Sequence, residues 1–222
     1  MMVNAKFTSW LRSALTHFHP VVYLVNVSEE KKPNWDSLYE LAAAQNGYFR
    51  NVHAAGAGFS KQLLHKHVLS GRIQHARRGV YRLAHFPLGD QDELIELWLW
   101  SEELGVFSHE TALAQHQLSD ALPSRVHLTV PRSWLRRSAI PPLVVLHYAN
   151  VPETDRTWVG HVPVTTVGRT LRDAFDAGVD PNLIAQAIAE GTARKLVGRS
   201  EVRGIVPPSR GARRTRRDSL LV

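Results

Sequence analysis

Glycines at positions 47, 56, 58, 71 and 79 divide the segment from Asn34 to Leu83, so no helix there can run beyond about three and a half turns. Glycine reaches the left-handed backbone that ends helices and turns hairpins, which makes these positions natural punctuation. "NWDSLYELAAAQNG" places Trp35, Leu38, Leu41 and Ala42 on one helical face, and Gly47 stops it. "NVHAAGAG" reads as a short helical piece closed by two glycines. "FSKQLLHKHVLSG" opens with Ser60, whose hydroxyl can accept from an orphan backbone N–H at a helix start. Leu64 and Val68 share its inner face, Lys61, Gln62, His65 and Lys66 fall opposite, and Gly71 ends it. Arg72–Ala76 and Gly79–Leu83 then alternate as strands do, about a turn at Arg77-Arg78.

Helix, short helix, glycine turn, helix and hairpin follow one another in the order of a winged helix-turn-helix. Its charge is one-sided: from Gly47 to Gly89 there are seven Lys or Arg and no Asp or Glu. "SGRIQHARRGVYRL" alone holds four arginines and a histidine. Like charges crowded on a hairpin repel one another, and the repulsion becomes attraction against a phosphate lattice, where each cation releases a counterion. In a recognition helix the first turns lie nearest the base edges. Lys61 and Gln62 occupy that turn, with His65 and Lys66 one turn on. Gln pairs with adenine and Lys with guanine, whereas Ser60 at the helix N-terminus suits a phosphate. Leu63, if exposed, could touch a thymine methyl. Arg77 and Arg78 could enter a narrow minor groove, with Arg72 and Arg82 on the backbone. Six phosphate contacts would give a slope of log K on log salt of roughly −5.

Residues 89–205 read as a separate α+β unit. Asp90 or Asp92 can cap a helix carrying Leu94, Leu97 and Trp98, and Ser108 can cap "HETALAQHQL". "RVHLTV" and "LVVLHY" read as strands, "VGHVPV" as a third. "TTVGRTLRDAFDAG" offers Thr165 or Thr166 as a cap and buries Val167, Leu171 and Phe175. Asp180-Pro181 is a cap followed by proline at the first helical position. Arg169 and Arg172, three apart on the polar face, form a candidate partner-binding spot, and "PRSWLRRS" with Arg132, Arg136 and Arg137 a second basic patch. Trp98, Trp100, Trp134 and Trp158 read as core. The tail from Val206 carries five arginines among Pro, Ser and Gly and cannot pack a core. Residues 1–33 read as a loosely attached, disordered extension, for which an upstream start codon is an equally good explanation.

The formal charge of +7 fits an anionic partner. Absence of cysteine excludes disulfides, thiol nucleophiles and Cys-based zinc sites and fits a cytoplasmic setting. No stretch reaches the roughly 18–20 apolar residues of a membrane span, so no membrane partner is expected. The pairs His17/His19 and His65/His67 lack a third ligand, so neither a metal nor a cofactor is expected. Asp90, Asp92, Glu93 and Glu96 are better explained as complementing a helix N-terminus than as a divalent-ion site. Ser108-His109-Glu110 resembles a catalytic triad on paper, but consecutive residues are not expected to form a hydrogen-bonded relay. Glu-x-Lys occurs only at Glu29-Glu30-Lys31, and phosphate-binding glycine loops and H-E-x-x-H are lacking. A non-enzymatic protein follows; a metal-dependent nuclease is the lesser alternative.

"LYELAAAQNGYF" with "GFSKQLLHKHVLSGRIQHARRGVYRL" resembles the N-terminal domain of the AbiEi family, the antitoxin and transcriptional-regulator components of type IV toxin–antitoxin systems. "FSHETALAQHQL", "RVHLTVPRS" and "VPVTTVGRTLRDAFDAG" resemble that family's C-terminal domain in the same order. His67 stands where an apolar residue is usual and Leu63 where a polar one is. The resemblance implies an autorepressor binding inverted repeats upstream of its own operon. It also implies a counterpart, a nucleotidyltransferase-like toxin that need not be bound directly. The expected architecture is α+β: extension 1–33, winged helix-turn-helix 34–88, α+β antitoxin domain 89–205, Arg-rich tail 206–222. The alternative is an RNA-binding or protein-interaction module with a basic surface.

Overall fold

A computed structural model describes residues 32–135 and 139–205 and shows a mixed α+β protein with seven α-helices and two sheets among them. The basic segment supplies α1 (Trp35–Ala43), β1 (Tyr48–Arg50), α2 (Asn51–Gly56), α3 (Lys61–Leu69), β2 (Ile73–Arg77) and β3 (Val80–Leu83). The three strands form an antiparallel sheet in the order β1-β3-β2. Strand β1 was not expected from sequence; at three residues it is too short for periodicity to register. Gly47, at φ +86°, turns α1 into it, and Phe86 packs where a Cβ on Gly47 would stand. Leu38, Phe49, Ala54, Phe59, Leu64 and Ile73 form the core beneath.

The remainder comprises α4 (Asp92–Trp100), β4 (Val106–Phe107), α5 (His109–Gln115), β5 (Val126–Val130), β6 (Val144–Tyr148), β7 (Arg156–Val159), β8 (Val162–Thr165), α6 (Val167–Asp176) and α7 (Pro181–Ala193). Its sheet has the order β6-β5-β4-β8-β7, with β6 parallel to β5 and β8 parallel to β4. "VGHVPV" is not one strand. Gly160, at φ +59°, folds it into a tight turn joining β7 to β8, with Val159 opposite Val162. Helix α4 buries Leu94, Ile95, Leu97, Trp98, Leu99 and Trp100, as a helix apolar on all sides must. It packs against all three strands of the first sheet and against β8 of the second. Tyr48 and Val80 thereby share a core with Phe107, Leu128 and Val164. Helices α5, α6 and α7 enclose a further core around Leu113, Leu171 and Ile184.

Several expected caps differ in detail. Gln91, not an aspartate, precedes α4, and Asp92 instead accepts from the Asn46 side chain at 2.6 Å. Thr166 precedes α6 without a side-chain cap. Asp180 caps α7 as expected, accepting from the Asn182 N–H, with Pro181 first in the helix. Trp98, Trp100 and Trp134 are buried, but Trp158 is exposed, its ring edge-on to Trp98. The N-terminal extension, His17/His19, Glu29-Glu30-Lys31, Arg136, Arg137 and the Arg-rich tail lie outside the described residues.

Candidate nucleic-acid interface

Ser60 caps α3, its Oγ accepting from the Leu63 N–H at 3.2 Å. Leu64 is buried below, and this fixes the rotation of the helix. Lys61, Gln62, His65 and Lys66 are consequently exposed together. Leu63 is not free to meet a thymine: it packs partly buried against the core. His67 takes the place of an apolar wedge. Its ring meets Trp35 edge-on at 4.8 Å and Phe59 at 6.0 Å, and desolvation, then Arg72 and Lys66, lower its pKa. His65 and His67 therefore point apart.

The hairpin divides the arginines. Arg72 and Arg78 are exposed and form no ion pair with a described acidic residue. Arg77 lies 3.4 Å from Glu96 of α4. Arg50 approaches Glu103 at 3.6 Å, beside a 2.9 Å contact from His53 to the same carboxylate oxygen. The His53 hydrogen bond chiefly lowers the Glu103 pKa, against a desolvation that raises it.

Arg82 departs most from expectation. It is 4% exposed and donates to the backbone oxygens of Phe86 and Pro87, the latter at 2.8 Å, with its guanidinium 5.5 Å from the centre of the Tyr48 ring. A guanidinium so used braces the loop after β3 and is not offered to a phosphate. The exposed cations of the segment are thus Lys61, Lys66, Arg72 and Arg78, and the expected salt slope falls to about −3.6. The shared side of hairpin and α4 hid this from sequence reasoning, because Glu96 and Glu103 lie outside the acid-free stretch.

On α6, Arg172 is exposed, whereas Arg169 is clamped between Asp173 at 2.7 Å and Asp155 at 3.0 Å. That pairing makes Arg169 a brace between the helix and the chain before β7. Arg132 is exposed.

A second constellation was missed in sequence because its members are 18 and 20 residues apart (109 to 127 to 147). His109 begins α5 at φ +53°, and this left-handed start lets its Nδ1 reach the neighbouring Ser108 Oγ at 2.8 Å. Ser108 and His109 make one such bond but no relay, and Ser108 does not cap α5 as expected: its Oγ also bonds the Thr129 hydroxyl at 2.7 Å. Glu110 completes no triad, since it meets His127 at 3.4 Å instead. His127 and His147 come from adjacent parallel strands and are 3.0 Å apart, Nδ1 to Nε2. Desolvation dominates in all three imidazoles and lowers their pKa values, that of His109 to about 3.

An exposed basic helix and hairpin stand on an α+β body. Residues 36–84 match the family model described as "Transcriptional regulator, AbiEi antitoxin". That segment, which runs from the second residue of α1 to just past β3, is therefore similar to the AbiEi antitoxin regulators. No curated protein matches the chain. Among the described residues no helix is long and apolar enough to cross a membrane.

Proposed function

We propose that the chain is a sequence-specific DNA-binding autorepressor and the antitoxin of a toxin–antitoxin pair, working in the cytoplasm on inverted repeats upstream of its own operon. The carrying observation is the joint exposure of Lys61, Gln62, His65 and Lys66 on a helix whose other face is anchored by Leu64. The element order α1-β1-α2-α3-β2-β3 and sheet order β1-β3-β2 support a winged helix-turn-helix, with α3 as recognition helix and β2–β3 as wing. The family match over these residues supports the regulatory role. Ser60, Lys61, Gln62, His65, Lys66, Arg72 and Arg78 contact the duplex, and Arg77 and Arg82 hold the wing in place. Residues 89–205 serve the antitoxin role against a nucleotidyltransferase-like toxin, with exposed Arg172 as a partner contact. The protein performs no catalysis in this reading.

A gel shift with the DNA upstream of its own gene, against unrelated DNA and RNA of equal length, tests the proposal. Preference for the upstream duplex is the expected result. Equal affinity for all three would leave only a general polyanion-binding module.

A further inference from the structure

We infer that His109, His127 and His147 form a binding site for a first-row transition-metal ion of the zinc type. One potential ligand nitrogen from each ring lies within 4.8 Å of the others. His127 and His147 already stand near the separation such an ion imposes: their nitrogens are 3.0 Å apart, against about 3.3 Å between neighbouring ligands at 2.0–2.1 Å zinc–nitrogen distance. Gaps of up to about 1.5 Å must close, and His109 must rotate out of its stack on His147 so that both lone pairs meet one ion.

Two of the three outer nitrogens also have polar neighbours. Ligating histidines characteristically donate their second N–H to a carboxylate, hydroxyl or carbonyl, which fixes tautomer and ring direction. Glu110 sits 3.4 Å from His127 Nε2, leaving Nδ1 as the ligand. Ser108 Oγ holds His109 Nδ1 at 2.8 Å and is itself bonded to Thr129, leaving Nε2. The inner nitrogens His127 Nδ1 and His147 Nε2 face each other at 3.0 Å, and with His127 protonated on Nε2 the proton between them belongs to His147 Nε2 in the metal-free chain. Metal binding also requires that this proton move to His147 Nδ1, so that both facing nitrogens present lone pairs. Neutral imidazole is the form that binds metal.

Stacking explains the arrangement less fully. His109 and His147 lie face to face at 3.8 Å and 14°, a contact that any two aromatic rings could make. It does not account for the carboxylate and hydroxyl placed at the rings' outer nitrogens, nor for a residue held at φ +53° to bring its ring in. Three neutral nitrogens suit zinc-type ions and not Mg²⁺ or Ca²⁺, which require oxygen ligands. A bound ion would fasten the edge strand β6 to the start of α5, leaving a fourth position for water.

The full chain, prepared without a polyhistidine tag and stripped with chelator, is titrated with Zn²⁺ against a chromophoric chelator, and separately with Co²⁺ to record its visible spectrum. One ion per chain and a tetrahedral Co²⁺ spectrum are expected, unaffected by excess Mg²⁺. His127→Asn with His147→Asn should abolish that site, and Glu110→Gln should weaken it about tenfold or more. Glu110 is partly solvent-exposed, so its variant keeps the test informative if the double variant does not fold; circular dichroism of the metal-free proteins decides that. Absence of stoichiometric binding overturns the inference. So does an octahedral Co²⁺ spectrum, or an affinity unchanged in a folded double variant or in Glu110→Gln.

Discussion

Arg77 Nη2 of the hairpin lies 3.4 Å from Glu96 Oε2 of α4, so the tip of the basic wing is tied to the helix behind it. The next residue, Arg78, is exposed. Under the proposed function, these adjacent arginines divide the work of positioning and binding. Arg78→Ala should reduce the salt slope of DNA binding by about 1, since one released counterion is lost. Arg77→Ala should leave that slope nearly unchanged. Fluorescence anisotropy across a salt series distinguishes them, and equal losses would refute the division.

Gln62 projects from the first turn of α3, where an amide can pair with an adenine edge. Gln62→Ala should relax the preference at one base pair by about 1–3 kcal/mol. Lys61→Ala should weaken binding more evenly across sequences if its partner is a phosphate. Competition among operators substituted one pair at a time reads both. A uniform loss for Gln62→Ala would remove it from base readout.

Arg82 is sequestered and satisfies two backbone carbonyls, so its loss is a matter of stability. Arg82→Ala should destabilise the protein by about 1.5–3 kcal/mol, the range for losing hydrogen bonds made by a charged group. Chemical denaturation at fixed pH provides the measurement. A change below about 0.5 kcal/mol would place the side chain in solvent.

Burial lowers the His116 pKa from 6.5, opposed by its 2.7 Å bond to the Thr165 carbonyl oxygen, with Arg194 lowering it further. The neutral ring donates its Nε2–H to that oxygen. A folded value below the unfolded one means the unfolded chain binds the proton first as pH falls. The stability contribution is therefore complete above pH 6.5 and is lost as pH drops through the folded value. His116→Gln should flatten the stability profile below pH 6.5 by up to about 1.4 kcal/mol per pH unit. Denaturant melts of both proteins from neutral to mildly acidic pH test this, and parallel profiles would contradict it.

The local features were legible because they rest on neighbouring residues. Glycine punctuation, Ser60 as a cap and the inner face of Leu64 are short-range physics, and they are as expected in the structure. Strands β1 and β4, of three and two residues, were not legible, since their pairing partners are remote in sequence. The β7–β8 turn was missed for another reason. "VGHVPV" alternates as a strand does, and only the pairing of Val159 with Val162 shows that Gly160 bends it.

By itself, then, the sequence determined the order of elements in the basic segment and which side of α3 carries its polar residues, because helix period and glycine backbone freedom act within a few residues. Which cations remain available was decided only when α4 brought Glu96 to Arg77, and when the loop after β3 laid its carbonyls on Arg82. The meeting of His109, His127 and His147 is likewise a product of sheet register. Charge pairing and ligand geometry depend on distance in space, and in this chain that distance is set by packing between segments far apart in sequence.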